Sequence, residues 1–133
     1  MGAGTVAAIV RSVRDRDLMT RLGADHVLLA GHADLPARLT DVVGDYGADV
    51  VIDMVGGPGL ADVLAGCAVG ARVVNVGRLG GGTFVIDLDH LALQQISLVG
   101  VTFRTRTADQ KATVVEGMVR DLVPQWRSTP CVH

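Results

Sequence analysis

Two β-branched runs that end in glycine constrain this chain more than any other feature. Residues 48–57 read ADVVIDMVGG and residues 71–82 read ARVVNVGRLGGG. A short, uninterrupted apolar run suits a strand covered on both faces, as in a parallel sheet flanked by helices. The glycines come at the carboxyl end of each run. Open α/β sheets bind ligands at that end, and a missing Cβ lets a ligand approach the backbone. The pair points to a nucleotide-binding α/β domain.

Composition supports this and excludes several alternatives. At 133 residues the chain is one domain or part of one. Hydrophobic residues make up 49% and charged residues 20%, which fits a globular interior and argues against disorder. The only aromatic residues are Tyr46, Phe84, Phe103 and Trp126, and net charge is −2 with no basic tract, so nucleic acid is not an expected partner. No apolar run approaches membrane-spanning length. Arg11, Arg14 and Arg16 follow the apolar N-terminal run instead of preceding it, the wrong order for a signal peptide. Cys67 and Cys131 have no metal-ligand or redox spacing and read as thiols of a cytoplasmic protein.

Along the chain, runs of about five apolar residues alternate with helical patterns of about ten. Residues 5–10 (TVAAIV) read as a strand. Residues 12–22 read as a helix capped by Ser12 and stopped by Gly23, and residues 26–30 as a second strand. Asp34 is placed to cap a helix with an apolar face of Leu35, Leu39, Val42, Val43 and Tyr46, ended by Gly47. Residues 50–54 form the third strand. Leu60, Val63, Leu64 and Cys67 stripe the next helix, ended by Gly70. Residues 72–76 form the fourth strand. Residues 84–88 read as extended, 91–95 as a helical turn, and 97–103 as the fifth strand. Thr107 and Gln110 have capping-box spacing for a last helix, whose apolar face is Ala112, Val115, Met118, Val119 and Leu122. The expected class is α/β, a doubly wound, Rossmann-like parallel sheet of five strands over residues 1–124. Residues 125–133 lack periodicity and read as a tail.

The candidate chemistry is sparse. Residues 2–7 (GAGTVA) match G-x-G-x-x-A, but no strand precedes them and a strand-like run follows, so they read as a loop. Arg11, Ser12, Arg14 and Arg16 follow the first strand, where a dinucleotide fold meets the adenosine ribose. Arginine there accommodates a 2′-phosphate, which favours NADP over NAD; simple helix capping with solvated arginines explains the same residues equally well. Asp53 ends the third strand. Its position is that of a receiver-domain phospho-acceptor, but the acidic pair and lysine of that family are missing, and it reads as a structural carboxylate bonded to backbone. His26, His32, His90 and His133 are scattered and suggest no metal site. His32 could edge an adenine pocket.

Four segments carry a resemblance: LGADHV at 22–27, ADVVIDMVGG at 48–57, GARVVNVG at 70–77 and ISLVGV at 96–101. In this order and spacing they resemble the cofactor-binding domain of the medium-chain dehydrogenase/reductase superfamily, in its quinone-oxidoreductase and zinc-binding-dehydrogenase branch. The resemblance covers about residues 4 to 123. It implies that Arg11 and Ser12, with Arg16 and His32 nearby, face the adenosine end of the cofactor. It places Met54, Val55 and Gly56 along the cleft, and Val76, Gly77, Arg78 and Leu79 beside the nicotinamide ribose and carboxamide. Val101 and Thr102 would lie near the nicotinamide. It also implies a homodimer formed by pairing the last strand with its copy through Leu98, Val99, Gly100, Val101, Thr102 and Phe103.

The family's substrate domain, first Rossmann strand, glycine-rich turn and following helix have no counterpart in this sequence. The proton-relay residues and zinc ligands belong mainly to that missing part, so no residue here is named catalytic and no metal is expected in this chain. Direct pairing of the first and third strands would give the order 2-1-3-4-5, with an apolar face left partly exposed. The expected function is the cofactor-binding part of an NADP-dependent oxidoreductase, inactive alone; the alternative is a standalone α/β nucleotide-binding or interaction module.

Overall fold

The computed structural model describes residues 3–124. They fall into two compact units, the first ending at Val101 and the second beginning at Thr102. The predicted tail at 125–133 lies outside the described residues.

The first unit alternates strand and helix: β1 (Ala7–Val10), α1 (Arg14–Arg21), β2 (His26–Leu29), α2 (Leu35–Val43), β3 (Ala48–Asp53), α3 (Gly59–Ala65), β4 (Cys67–Asn75), α4 (Leu88–Leu93) and β5 (Ser97–Gly100). Every strand pairing is parallel, as the βαβ rhythm requires. The α/β class and the five strands therefore stand, but the strands divide into a two-stranded sheet, β1-β2, and a three-stranded sheet, β3-β4-β5. The expected direct pairing of β1 with β3 does not form. Helix packing links the two sheets instead: α2 contacts both β2 and α3, and Gly66 leaves room for the Leu39 side chain.

Two small cores hold these layers. Leu28, Leu35 and Leu39 are buried together under Ile9, Val42 and Val43, which joins α2 to the β1-β2 sheet. Leu60, Leu64, Cys67, Ala71, Val73 and Ile96 form the second core, with Val51, Phe84 and Leu91 packed against it. Side chains alternate across a strand, so Val51, Val73 and Leu98 share one face while Ile52, Val74 and Val99 share the other. The first face carries α3. The second is open: Val50 and Ile52 are 65% and 59% exposed. The expected exposed apolar face is thus present on β3.

Several boundaries shift. The α1 cap falls on Val13, although the Ser12 hydroxyl still accepts from the Arg14 N–H at 3.2 Å. Asp34 makes no side-chain capping bond, and α2 ends at Gly44, with Gly47 further on. Tyr46, placed by period on the apolar face, lies beyond the helix and is 89% exposed. β4 begins at Cys67 because α3 stops at Ala65, so Gly70 sits inside the strand and not at a helix end. A register shift between Ala48 and Val50 absorbs the extra residues of β4.

The second unit contains α5 (Ala108–Asp121), capped by Thr107. The capping box forms as its spacing predicts: the Thr107 hydroxyl accepts from the Gln110 backbone N–H and the Gln110 side-chain Oε1 accepts from the Thr107 N–H. No residue of α5 is buried, and Val115, Met118, Val119 and Leu122 are exposed.

Candidate functional site

β3 and β4 end in register, which brings Asp53 beside Asn75. The Asp53 carboxylate accepts three hydrogen bonds. Oδ1 takes the N–H groups of Val55 at 3.0 Å and Gly56 at 2.9 Å, and Oδ2 takes Asn75 Nδ2 at 2.6 Å. The backbone closes the same corner: the Asp53 carbonyl accepts from the N–H groups of Val76 and Gly77. Asp53 is therefore the structural carboxylate that its strand-end position suggests.

Above this corner the two glycine loops meet backbone to backbone. Gly56 bridges Gly81, and the Gly80 N–H donates to the Val55 carbonyl at 2.7 Å. Gly56 and Gly57 have φ of +66° and +73°, a region that disfavours side chains. A Cβ on Gly77 would run into the Met54 carbonyl, and one on Gly57 into the carbonyl of Gly80. The glycines that suggested close approach of a ligand thus also serve close approach of one loop to the other.

A cleft of about 280 Å³ opens at the carboxyl ends of β3, β4 and β5. Gly56, Gly57, Asn75, Arg78 and Gly100 line it, and Leu60, Phe84 and Leu98 give it an apolar wall. The Arg78 guanidinium lies near the end of β5, where its Nη2 is 3.9 Å from the position of a Cβ on Gly100. An apolar cleft with a few convergent polar groups at the carboxyl edge of a parallel sheet has the form of a small-molecule site.

Of the residues expected to line a cofactor cleft, Gly56 and Arg78 do so. Met54, Val55, Val76 and Gly77 form the interlocked loops around it, and Leu79 is 89% exposed. Val101 extends the β4-β5 ladder by one bond, its N–H donating to the Asn75 carbonyl at 3.0 Å. Thr102 belongs to the second unit, where its hydroxyl accepts from the Arg104 N–H. Arg11 and Ser12 follow β1, and His32 follows β2. Arg16 lines a separate groove of about 440 Å³ with Thr20, Asp25, His26 and Arg38. The cleft over β3–β5 contains none of these four adenosine-side candidates.

The expected dimer edge is shorter than its sequence suggests. β5 ends at Gly100, so Val101, Thr102 and Phe103 lie beyond the strand, and Leu98 and Gly100 line the cleft. Sequence reasoning missed Asn75, Gly57, Leu60, Gly81, Gly82 and Phe84 as lining residues. Asn75 was detectable: a polar residue ends an apolar strand at the position that pairs with Asp53.

The zinc-binding dehydrogenase family profile matches residues 1–120. The chain belongs to that family. A similar protein is quinone oxidoreductase-like protein 2 of Bos taurus, 31% identical over 96 residues, which are 72% of this chain and 28% of that protein. Two solved structures show the same fold. Escherichia coli K-12 YhdH with bound NADPH is 25% identical with a TM-score of 0.69, covering 89% of this chain and 35% of that one. An NAD-dependent alcohol dehydrogenase is 25% identical with a TM-score of 0.69, covering 86% and 33%. This zinc-binding dehydrogenase family chain thus spans 28% of the Bos taurus protein and about a third of each of these two solved chains. Among the described residues, no group of three or more His, Cys, Asp or Glu side chains is placed to hold a metal ion. No helix among them is long and apolar enough to cross a membrane.

Proposed function

We propose that this chain forms the nicotinamide side of the cofactor cleft of an NADP-dependent oxidoreductase of the quinone reductase, enone reductase or alcohol dehydrogenase type. The observation that carries this reading is the cleft over the carboxyl ends of β3, β4 and β5, framed by two interlocked glycine loops and containing Arg78. The names of its relatives support it: one is quinone oxidoreductase-like, and one was solved with NADPH.

When bound, the cofactor supplies a hydride-transferring ring. The chain's own part is positional. The Asp53–Asn75 corner holds the loops, and Leu60, Phe84 and Leu98 exclude water from one side of the ring. Arg11 and Ser12, after β1, offer a cation and a hydroxyl to a 2′-phosphate, which selects NADP over NAD. Met54, Val55, Val76, Gly77 and Leu79 shape the rim, with Val101 and Thr102 toward the nicotinamide; Arg16 and His32 belong to the adenosine side. The free edge of β5 pairs with its copy in a homodimer, and the protein works in the cytoplasm. The residues named here bind and position the cofactor, and none of them is assigned as the catalytic acid.

Calorimetric titration with NADPH and NADH tests this. NADPH should bind more tightly than NADH, and Arg11→Ala should remove most of the difference. Absence of binding at millimolar NADPH overturns the reading.

A further inference from the structure

One side of β2 is unpaired. The N–H groups of His26 and Ala30 donate to the Val6 and Val10 carbonyls at 3.2 and 2.8 Å, so the even-numbered residues of this segment face β1. A parallel ladder bonds alternate residues to each side, and the N–H and C=O groups of Val27 and Leu29 therefore point away from β1. Among the described residues, no strand pairs with that side of β2. Such an edge is a template for another strand.

The groove of about 440 Å³ lies along β2, with Val27 and Leu28 from the strand and Arg38, Asp41 and Val42 from α2 in its lining. Arg38 and Asp41 are three residues apart and share one side of α2. Neither forms an ion pair within the chain; among the described residues, the ion pair is Arg120 with Asp121. One cation and one anion, a helical turn apart and both unpaired beside a free strand edge, make a surface complementary to its own copy under twofold rotation.

We propose that this edge docks a second copy of the chain, β2 against β2, antiparallel about a twofold axis at Leu28. In that register Val27 and Leu29 exchange both backbone bonds with the partner's Leu29 and the partner's Val27. The axis stands perpendicular to the joined sheet, so the two copies of α2 lie on the same face. Leu28 packs against Leu35 and Leu39, which puts the axis beside the middle of α2. Arg38 then meets the partner's Asp41, and Asp41 meets the partner's Arg38. The contact shares no lining residue with the cleft over β3–β5 and is separate from the β5 pairing.

Sedimentation of the intact chain at fixed concentration tests this by exchanging charges. Arg38→Asp sets carboxylates against carboxylates across the axis, and Asp41→Arg sets guanidinium groups against guanidinium groups. Each single reversal should weaken self-association about tenfold. An equimolar mixture of the two variants should recover the parent distribution, because each copy then meets its opposite charge. The double exchange Arg38→Asp with Asp41→Arg in one chain should recover it as well, which separates lost contact from lost folding. Neither the β5 pairing nor the open face of β3 contains these residues, so neither accounts for recovery on mixing. Three results overturn the proposal: a parent chain that sediments as a monomer, single reversals that sediment like the parent, or a mixture and a double exchange that both fail to recover.

Discussion

Asp53 and Asn75 end adjacent parallel strands in register, and their side chains meet at 2.6 Å. The carboxylate also takes the N–H groups of Val55 and Gly56, so one side chain ties β3 to β4 and folds the chain back over both. Asp53→Ala leaves three donors without this acceptor. It should lower unfolding free energy by about 1–3 kcal/mol in urea denaturation. Asp53→Asn keeps one acceptor oxygen and should lose less.

The loop contact makes a sharp prediction about glycine. Gly77→Ala places a methyl group against the Met54 carbonyl and forces the loops apart. It should destabilise the chain by about 1–3 kcal/mol and weaken NADPH binding. Gly82→Ala, where an added Cβ meets nothing within 4 Å, should stay within about 0.5 kcal/mol of the parent in urea denaturation, the measurement that also checks Gly77→Ala.

Cys67 is buried in the second core, and burial pushes its thiol pKa up from 9.0. Its folded state therefore holds the proton at pH values where the unfolded chain has lost it. The stability this contributes is fully present below pH 9.0 and is lost as pH rises from there through the raised folded value. Melts from pH 7 to 10 should fall more steeply for the parent than for Cys67→Ala, although Cys67→Ala starts lower. An aromatic disulfide reagent at pH 8 should modify Cys67 only at the rate of unfolding.

The open face of β3 should drive association. Val50 and Ile52 are exposed on the face opposite the second core. Ile52→Lys should reduce the species larger than the dimer in sedimentation at fixed concentration and leave the melting midpoint within a few degrees. A parent chain that forms nothing larger than a dimer at high concentration would remove this role for the face.

The strand and helix order was readable because period and punctuation agreed along most of the chain. Valine-rich runs ended in glycine, and Leu60 and Leu64 fell on one helical face. The capping box at Thr107 and Gln110 was legible from four residues, since both of its bonds are local. Tyr46 failed for an identifiable reason: helical periodicity continues on paper past Gly44, where the helix stops. Gly70 failed because a glycine inside a strand looks, in sequence, like a helix terminator.

The sequence by itself determined the α/β class, the parallel pairing that βαβ connections impose, and the glycine loops at the strand ends. These depend on spacing within one element or across one turn. Only the tertiary structure decided that five strands divide into two and three, because pairing depends on which strand edges meet. Only it showed that the loop glycines face each other, and that the Asn75 amide donates to both the Asp53 carboxylate and the Gly77 carbonyl. Residues 22 apart in the chain are neighbours there through parallel register, which packing sets and no local pattern encodes.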